Sequence, residues 1–276
     1  MSRLLVGAAY VAVTVAALLT HQMTAAAYIG LIQLFCLYEF YSITLSSKSL
    51  KSRVFPLIVG SVLFFITYVY QDSVVNLGHI IWYLIPLLVL YFIYLVFTQS
   101  TDWIGDSAKT VMGWLYISLP LAFLLRMGNL VFDEANTDLL PYYGFQILLI
   151  FVLIWANDTF AYLVGRQIGK RPLASRLSPK KTIEGFVGGI VFSVGFSILM
   201  HRMFPFMERS HFIALALICS VVGTIGDLFE SKIKRSLGIK DSGNTLGGHG
   251  GFLDRMDSIL FASPACFFYL FHFTVM

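Results

Sequence analysis

Residues able to do chemistry concentrate in one stretch, 226–258, which reads GDLFESKIKRSLGIKDSGNTLGGHGGFLDRMDS. If a helix runs through its start, Asp227, Ser231 and Lys234 follow at i, i+4 and i+7 and share one face, with Glu230 beside them. Lys232, Arg235, Lys240 and Asp241 come next, and then a glycine run, Gly247, Gly248, Gly250 and Gly251, flanks His249. Glycines there permit backbone shapes closed to other residues and let N–H groups approach a ligand closely. Beyond the run, Asp254 and Asp257 stand at i, i+3 with Arg255 between them. Converging carboxylates are hard oxygen ligands suited to Mg²⁺, and Lys and Arg beside them suit phosphate oxygens. Together they describe phosphoryl chemistry, run either by two cations or by one Mg²⁺ with lysines. His249 stays open between general base, phosphate donor and hinge hydrogen bond. No Cys/His spacing suggests zinc.

A second basic loop, GRQIGKRPLASRLSPKKTIEGF, spans residues 165–186. Ser178-Pro179 has the form of a helix N-cap followed by proline, which predicts Lys180, Lys181 and Thr182 in a first helical turn. Cations oppose the macrodipole at that end of a helix, so the arrangement makes sense with a bound anion, here a phosphate. Asp158 in WANDTFAY and Asp227 lie near the ends of apolar blocks, where hydrocarbon makes an acid costly and its retention points to function. Glu39, in LYEFYS, is in the same position, and two readings stay open for it, a packing residue or part of a site.

These residues must be held by membrane helices. The chain is 58% hydrophobic and 12% charged, against about a quarter charged for soluble proteins. The apolar residues fall into nine blocks near the ~20 residues that cross a bilayer as helix, at 4–20, 23–45, 54–70, 80–97, 111–127, 142–164, 183–203, 212–229 and 258–275. The predicted fold is all-α, a polytopic membrane protein of about nine transmembrane helices. With the N-terminus in the cytoplasm, only Arg126, Arg202 and Arg209 of the 19 Lys and Arg residues fall outside, a strong positive-inside bias. The opening MSRLLVGAAYVAVTVAALLTHQM has the layout of a signal peptide, but another apolar block follows at once, so the two read as a helical hairpin. No linker or repeat divides the chain, which predicts one membrane domain over 1–276, with N-terminal helices in 1–140 and the catalytic helices and cytoplasmic loops in 141–276. Cys36, Cys219 and Cys266 all sit in apolar blocks and read as small buried hydrophobes.

The segment SKIKRSLGIKDSGNTLGGHGGFLDRMD closely resembles the signature of phosphatidate cytidylyltransferases, the CDP-diacylglycerol synthases. WANDTFAYLVGRQIGK, LSPKKTIEGFVGG and GDLFES are similar to the same family, so the likeness covers roughly 150–260. The resemblance implies transfer of CMP from CTP to phosphatidate, giving CDP-diacylglycerol and pyrophosphate in phospholipid biosynthesis, with Mg²⁺ and room for a second cation. It implies Asp227, Asp254 and Asp257 as metal ligands, with Asp158 and Glu230 behind them. Lys232, Lys234, Arg235, Lys240 and Arg255 would neutralise phosphates, Asp241 would join the substrate-binding set, and Ser178, Lys180, Lys181 and Thr182 would hold triphosphate or lipid phosphate. Gly248, His249 and Gly250 would wrap the nucleotide. A homodimer is also implied.

Two rivals follow from the same residues. A CTP-dependent polyprenol or phytol kinase would move the γ-phosphoryl group instead. An ion-coupled transporter would use Glu39, Asp158 and Asp227 as a relay, though such relays are spread along a pathway, often in repeated halves. The expected partners are CTP, phosphatidate and membrane lipid. The net charge of +4 follows from the positive-inside bias and calls for no nucleic acid. The expected location is a bacterial inner membrane with the site on the cytoplasmic side.

Overall fold

The structure is a computed structural model that describes residues 3–46, 50–69, 77–98, 100–130, 142–243, 245 and 250–275. The chain folds as α1 (Arg3–Thr20), α2 (Gln22–Thr44), α3 (Leu50–Val69), α4 (Leu77–Val96), α5 (Trp103–Gly113), a π-helical turn (Trp114–Ser118) and α6 (Leu119–Met127). It continues as α7 (Tyr142–Ile168), strands β1 (Pro172–Ala174) and β2 (Ser178–Thr182), then α8 (Ile183–Met203), α9 (Arg209–Ser236) and α10 (Leu253–Val275). This is an all-α polytopic membrane protein carrying one small hairpin. Among the described residues 7 helices are long and apolar enough to cross a membrane, and the first and fourth predicted blocks lie in α1 and α4, of 18 and 20 residues.

Several helices outrun their apolar blocks. The block predicted at 212–229 is part of α9, which reaches Ser236, and the block at 258–275 is part of α10, which starts at Leu253. The extensions are polar and are stabilised by their own side chains. Lys234 pairs with Glu230 one turn earlier in α9, and the Asp254 carboxylate accepts the Gly251 N–H at 2.8 Å just ahead of α10. The block at 111–127 is the second part of a longer rod, Trp103–Met127, interrupted by the π turn ahead of Pro120, whose ring nitrogen cannot donate to the helix.

Small residues set how closely α7 approaches α8 and α9 approaches α10. Gly185, Gly188 and Gly189 of α8 face α7, where an added Cβ would meet Ala161 O at 2.6 Å, Val164 at 2.7 Å and Asn157 Oδ1 at 2.6 Å respectively. Gly226 of α9 plays the same part against Asp257 O of α10, at 2.5 Å. Without a hydrophobic force between helices in lipid, such close packing is a main source of association. Cys36, Cys219 and Cys266 are buried free thiols.

The predicted helix start at Ser178 is corrected by the structure. Residues Ser178–Thr182 form β2, which pairs antiparallel with β1 through Pro172↔Thr182 and Ala174↔Ser178. Pro179 is tolerated because a two-stranded ribbon has only edge strands. The true N-cap of α8 is Thr182, extended at φ −118 and ψ 153, whose hydroxyl accepts the Gly185 N–H at 3.1 Å. Lys180 and Lys181 therefore stand on a strand and not in a helical first turn.

Candidate active site

Glu184 fixes the hairpin onto its helix. One oxygen of its carboxylate accepts the Lys170 and Arg171 N–H groups at 3.0 and 3.1 Å, while Ile183 N–H bonds to Arg171 O at 2.9 Å. The hairpin is thereby held against α7 and α8, and from it Lys181 Nζ donates to Asp227 Oδ2 of α9. Ser231 Oγ lies 3.4 Å from Asp227 Oδ1, one helical turn along the shared face.

A second cluster sits where α9 meets α10. Lys234 Nζ lies 2.6 Å from Glu230 Oε2 and 2.8 Å from Asp254 Oδ1. Asp254 also accepts the Ser242 N–H at 3.1 Å on both oxygens and the Gly251 N–H at 2.8 Å. Gly250 has φ +80, the left-handed region that suits glycine, and a Cβ there would meet Asp254 Oδ2 at 2.6 Å. Glu230 is fully buried, and its Oε1 has no hydrogen-bond partner among the described residues. Asp257 sits one turn beyond Asp254, with its Oδ1 accepting the Ser258 N–H at 2.6 Å.

The two clusters open onto one cavity of about 1080 Å³. Asp158, Asp227, Asp254 and Asp257 line it together with Lys180, Lys181, Thr182, Arg166 and Arg255. Its other wall is apolar, with Val11 and Val13 of α1, Tyr10, Ile154 and Phe186. Asp158 faces the cavity, with Asn157 Nδ2 3.4 Å from its Oδ1.

The predicted site residues divide accordingly. Glu230 and Lys234 stand just behind the wall and act on it through Asp254. Lys232, Arg235, Lys240 and Asp241 are exposed and lie outside the cavity wall, as does Ser178, and Arg235 Nη1 instead donates to Ile239 O at 3.2 Å. Gly250 lies beside Asp254. Gly248 and His249 lie outside the described residues. Arg166 and Glu184 were missed by sequence reasoning, since both look like ordinary members of a basic loop and its flank.

Glu39 resolves in favour of the site's frame. It is 3% exposed, and its carboxylate accepts the Phe252 N–H at 3.1 Å, the Leu253 N–H at 2.9 Å, the Ser242 hydroxyl at 3.3 Å and the Thr245 hydroxyl.

Comparison with known proteins gives the family. The chain matches the cytidylyltransferase family over residues 1–273. The chain belongs to that family. It is 39% identical to a phosphatidate cytidylyltransferase of Aquifex aeolicus over 212 residues, which is 76% of this chain and 70% of the relative. Relatives bearing the same name in Bacillus subtilis and Staphylococcus epidermidis are 37% and 38% identical, with 64% and 62% of this chain aligned to 63% and 62% of theirs. As a cytidylyltransferase the protein is an enzyme that handles a nucleotide.

The donor set can be tested against Mg²⁺. Among the described residues no three His, Cys, Asp or Glu side chains gather as a ready cage. Mg²⁺ does not ask for one, because it keeps several waters and takes one or two carboxylates plus substrate phosphate oxygens. Asp227, Asp254 and Asp257 offer such carboxylates on a single cavity. The oxygen chemistry fits.

Proposed function

We propose that this enzyme transfers CMP from CTP to phosphatidate, forming CDP-diacylglycerol and pyrophosphate. The carrying observation is the shared cavity, which joins an apolar lining from α1, α7 and α8 to four carboxylates and a set of cations. One substrate is a lipid whose acyl chains need an apolar wall, and the other is a triphosphate whose charges need cations. A phosphate oxygen of the lipid attacks the α-phosphorus of CTP. The new P–O bond forms as the bond to the bridging oxygen of the β-phosphate breaks, and that oxygen leaves with pyrophosphate. No enzyme nucleophile is needed, so the protein contributes positioning and charge.

Lys181 and Lys180 are placed to hold phosphate oxygens at the hairpin, and Arg166 and Arg255 to do so on the flanking helices. Asp227 keeps Lys181 aimed into the cavity, and Lys234 keeps Asp254 aimed there. Asp227, Asp254 and Asp257 would hold Mg²⁺, which when bound neutralises charge developing on the transferring phosphoryl group. The Lys and Arg bias supports a site on the cytoplasmic side of a bacterial inner membrane.

The γ-phosphoryl kinase reading is disfavoured by family membership, and the relay of a transporter by the gathering of Asp158 and Asp227 at a single cavity. The deciding experiment gives the detergent-purified chain phosphatidate, Mg²⁺ and CTP labelled on the α-phosphorus. Label entering lipid, with pyrophosphate released, is the expected outcome. Label entering lipid only from γ-labelled CTP would make the protein a kinase.

A further inference from the structure

We infer that Glu39 is a positioning residue of the reaction, a carboxylate supplied by α2 that holds the amino end of α10 in the register that aims Asp254 into the cavity. The inference rests on the proposed function for its kinetic consequence, though not for its structural one. The first N–H groups of any helix have no carbonyl partner within that helix. A local side chain commonly serves them. Here Glu39, more than two hundred residues upstream, takes the Phe252 and Leu253 N–H groups at 3.1 and 2.9 Å.

The same carboxylate gathers the loop that leads into α10. Ser242 and Thr245 donate their hydroxyls to it, so each Glu39 oxygen accepts one backbone and one side-chain bond. Ser242 in turn gives its N–H to Asp254. Glu39 and Asp254 therefore grip the loop from opposite sides, and displacing one displaces the other. Gly243 and Gly251 belong to this grip, because a Cβ on either would run into the Glu39 carboxylate. Part of the glycine pattern is thus explained by close approach to an acid and not to a substrate.

No Lys or Arg ion-pairs with Glu39 among the described residues. Its charge is offset by four donors and by the positive end of the α10 dipole. A glutamine of equal size accepts on one oxygen only, and its NH₂ would face two donors. An aspartate keeps the charge but falls one methylene short.

The test uses the full chain in detergent with wild type, Glu39→Gln, Glu39→Asp and Thr245→Val. Outer partners of metal ligands are typically worth about 10–100-fold in metal affinity or activity. Glu39→Gln should raise the Mg²⁺ concentration for half-maximal transfer at least about 10-fold, while KM for phosphatidate stays within about twofold. Glu39→Asp should recover part of the loss. Amide exchange at Phe252 and Leu253 should quicken in Glu39→Gln, with the α7–α8 pair unchanged. Wild-type Mg²⁺ dependence together with wild-type exchange in Glu39→Gln overturns the inference. If Glu39→Gln loosens the whole fold, Thr245→Val and Glu39→Asp decide, and normal Mg²⁺ dependence in both overturns it. If the wild type moves no label from CTP, the proposed function fails, and the exchange data alone judge the role of Glu39.

Discussion

Lys234 Nζ stands 2.8 Å from Asp254 Oδ1 across the junction of α9 and α10, while its other contact, 2.6 Å away, is the buried Glu230. One cation thus serves two acids, and the exposures of the Lys234, Glu230 and Asp254 side chains, 13%, 1% and 12%, leave little water to share the task. Removing one partner of a buried pair leaves an uncompensated charge at a cost of about 3–5 kcal/mol. Lys234→Met should therefore lower the unfolding temperature clearly and abolish transfer. Adding Glu230→Gln to it should restore part of the stability, because one stranded charge is gone, without restoring transfer. Thermal unfolding and label transfer on the single and double variants check this.

The Lys181–Asp227 pair should behave differently. Its side chains are 28% and 26% exposed, and such pairs contribute about 0–1 kcal/mol. Lys181→Ala should leave the melting temperature almost unchanged. It should raise KM for a phosphate-bearing substrate or lower kcat, since the lysine faces the cavity. A large stability loss with normal kinetics would reverse the assignment.

The contrast between these pairs shows what was legible in the sequence. The Asp227, Ser231 and Lys234 face could be read because helical periodicity is local, and α9 does run on to Ser236. The approach of Lys181 to Asp227 could not, because the residues are 46 apart and only the fold joins them. Glu39 was visible as an acid in an apolar block, but its partners near Leu253 are a matter of tertiary packing. Ser178-Pro179 misled because that pair fits an edge strand as well as a helix start. The decision lay with Thr182 and Glu184, which cap α8 and tie down the loop.

That correction carries its own prediction. Replacing an N-cap Thr by Ala costs about 0.5–2 kcal/mol. Thr182→Ala should lose that much, and Thr182→Ser should lose little. Ser178→Ala, at the start of β2, should carry no capping cost. Equal losses at the two positions would restore the helix start at Ser178.

The glycines of α8 should separate by position. A Cβ on Gly188 would meet Val164 at 2.7 Å, whereas nothing lies within 4 Å of one on Gly195. Gly188→Ala should destabilise the α7–α8 pair by about 1–3 kcal/mol through overpacking. Gly195→Ala should be neutral or gain up to about 1 kcal/mol, the usual helical advantage of alanine. Unfolding of both variants in detergent tests whether α7 and α8 are as close as described.

Metal dependence can be apportioned among the acids by what else each one holds. Asp227 is engaged by Lys181 and Asp254 by Lys234, so changing either disturbs a neighbour as well as a ligand. Asp257 lines the same cavity, yet its one side-chain hydrogen bond among the described residues is to the Ser258 N–H of its own helix. Asp257→Asn retains an oxygen for that bond and should melt close to wild type. Its transfer activity should nevertheless fall by about 100-fold or more, the scale of losing a group that stabilises charge in the transition state. Excess EDTA should bring the wild type down to a similar level, and Mg²⁺ should restore the wild type but not the variant. An Asp257→Asn enzyme that titrates with Mg²⁺ as the wild type does would take Asp257 out of the ligand set and leave Asp227 and Asp254 to carry it.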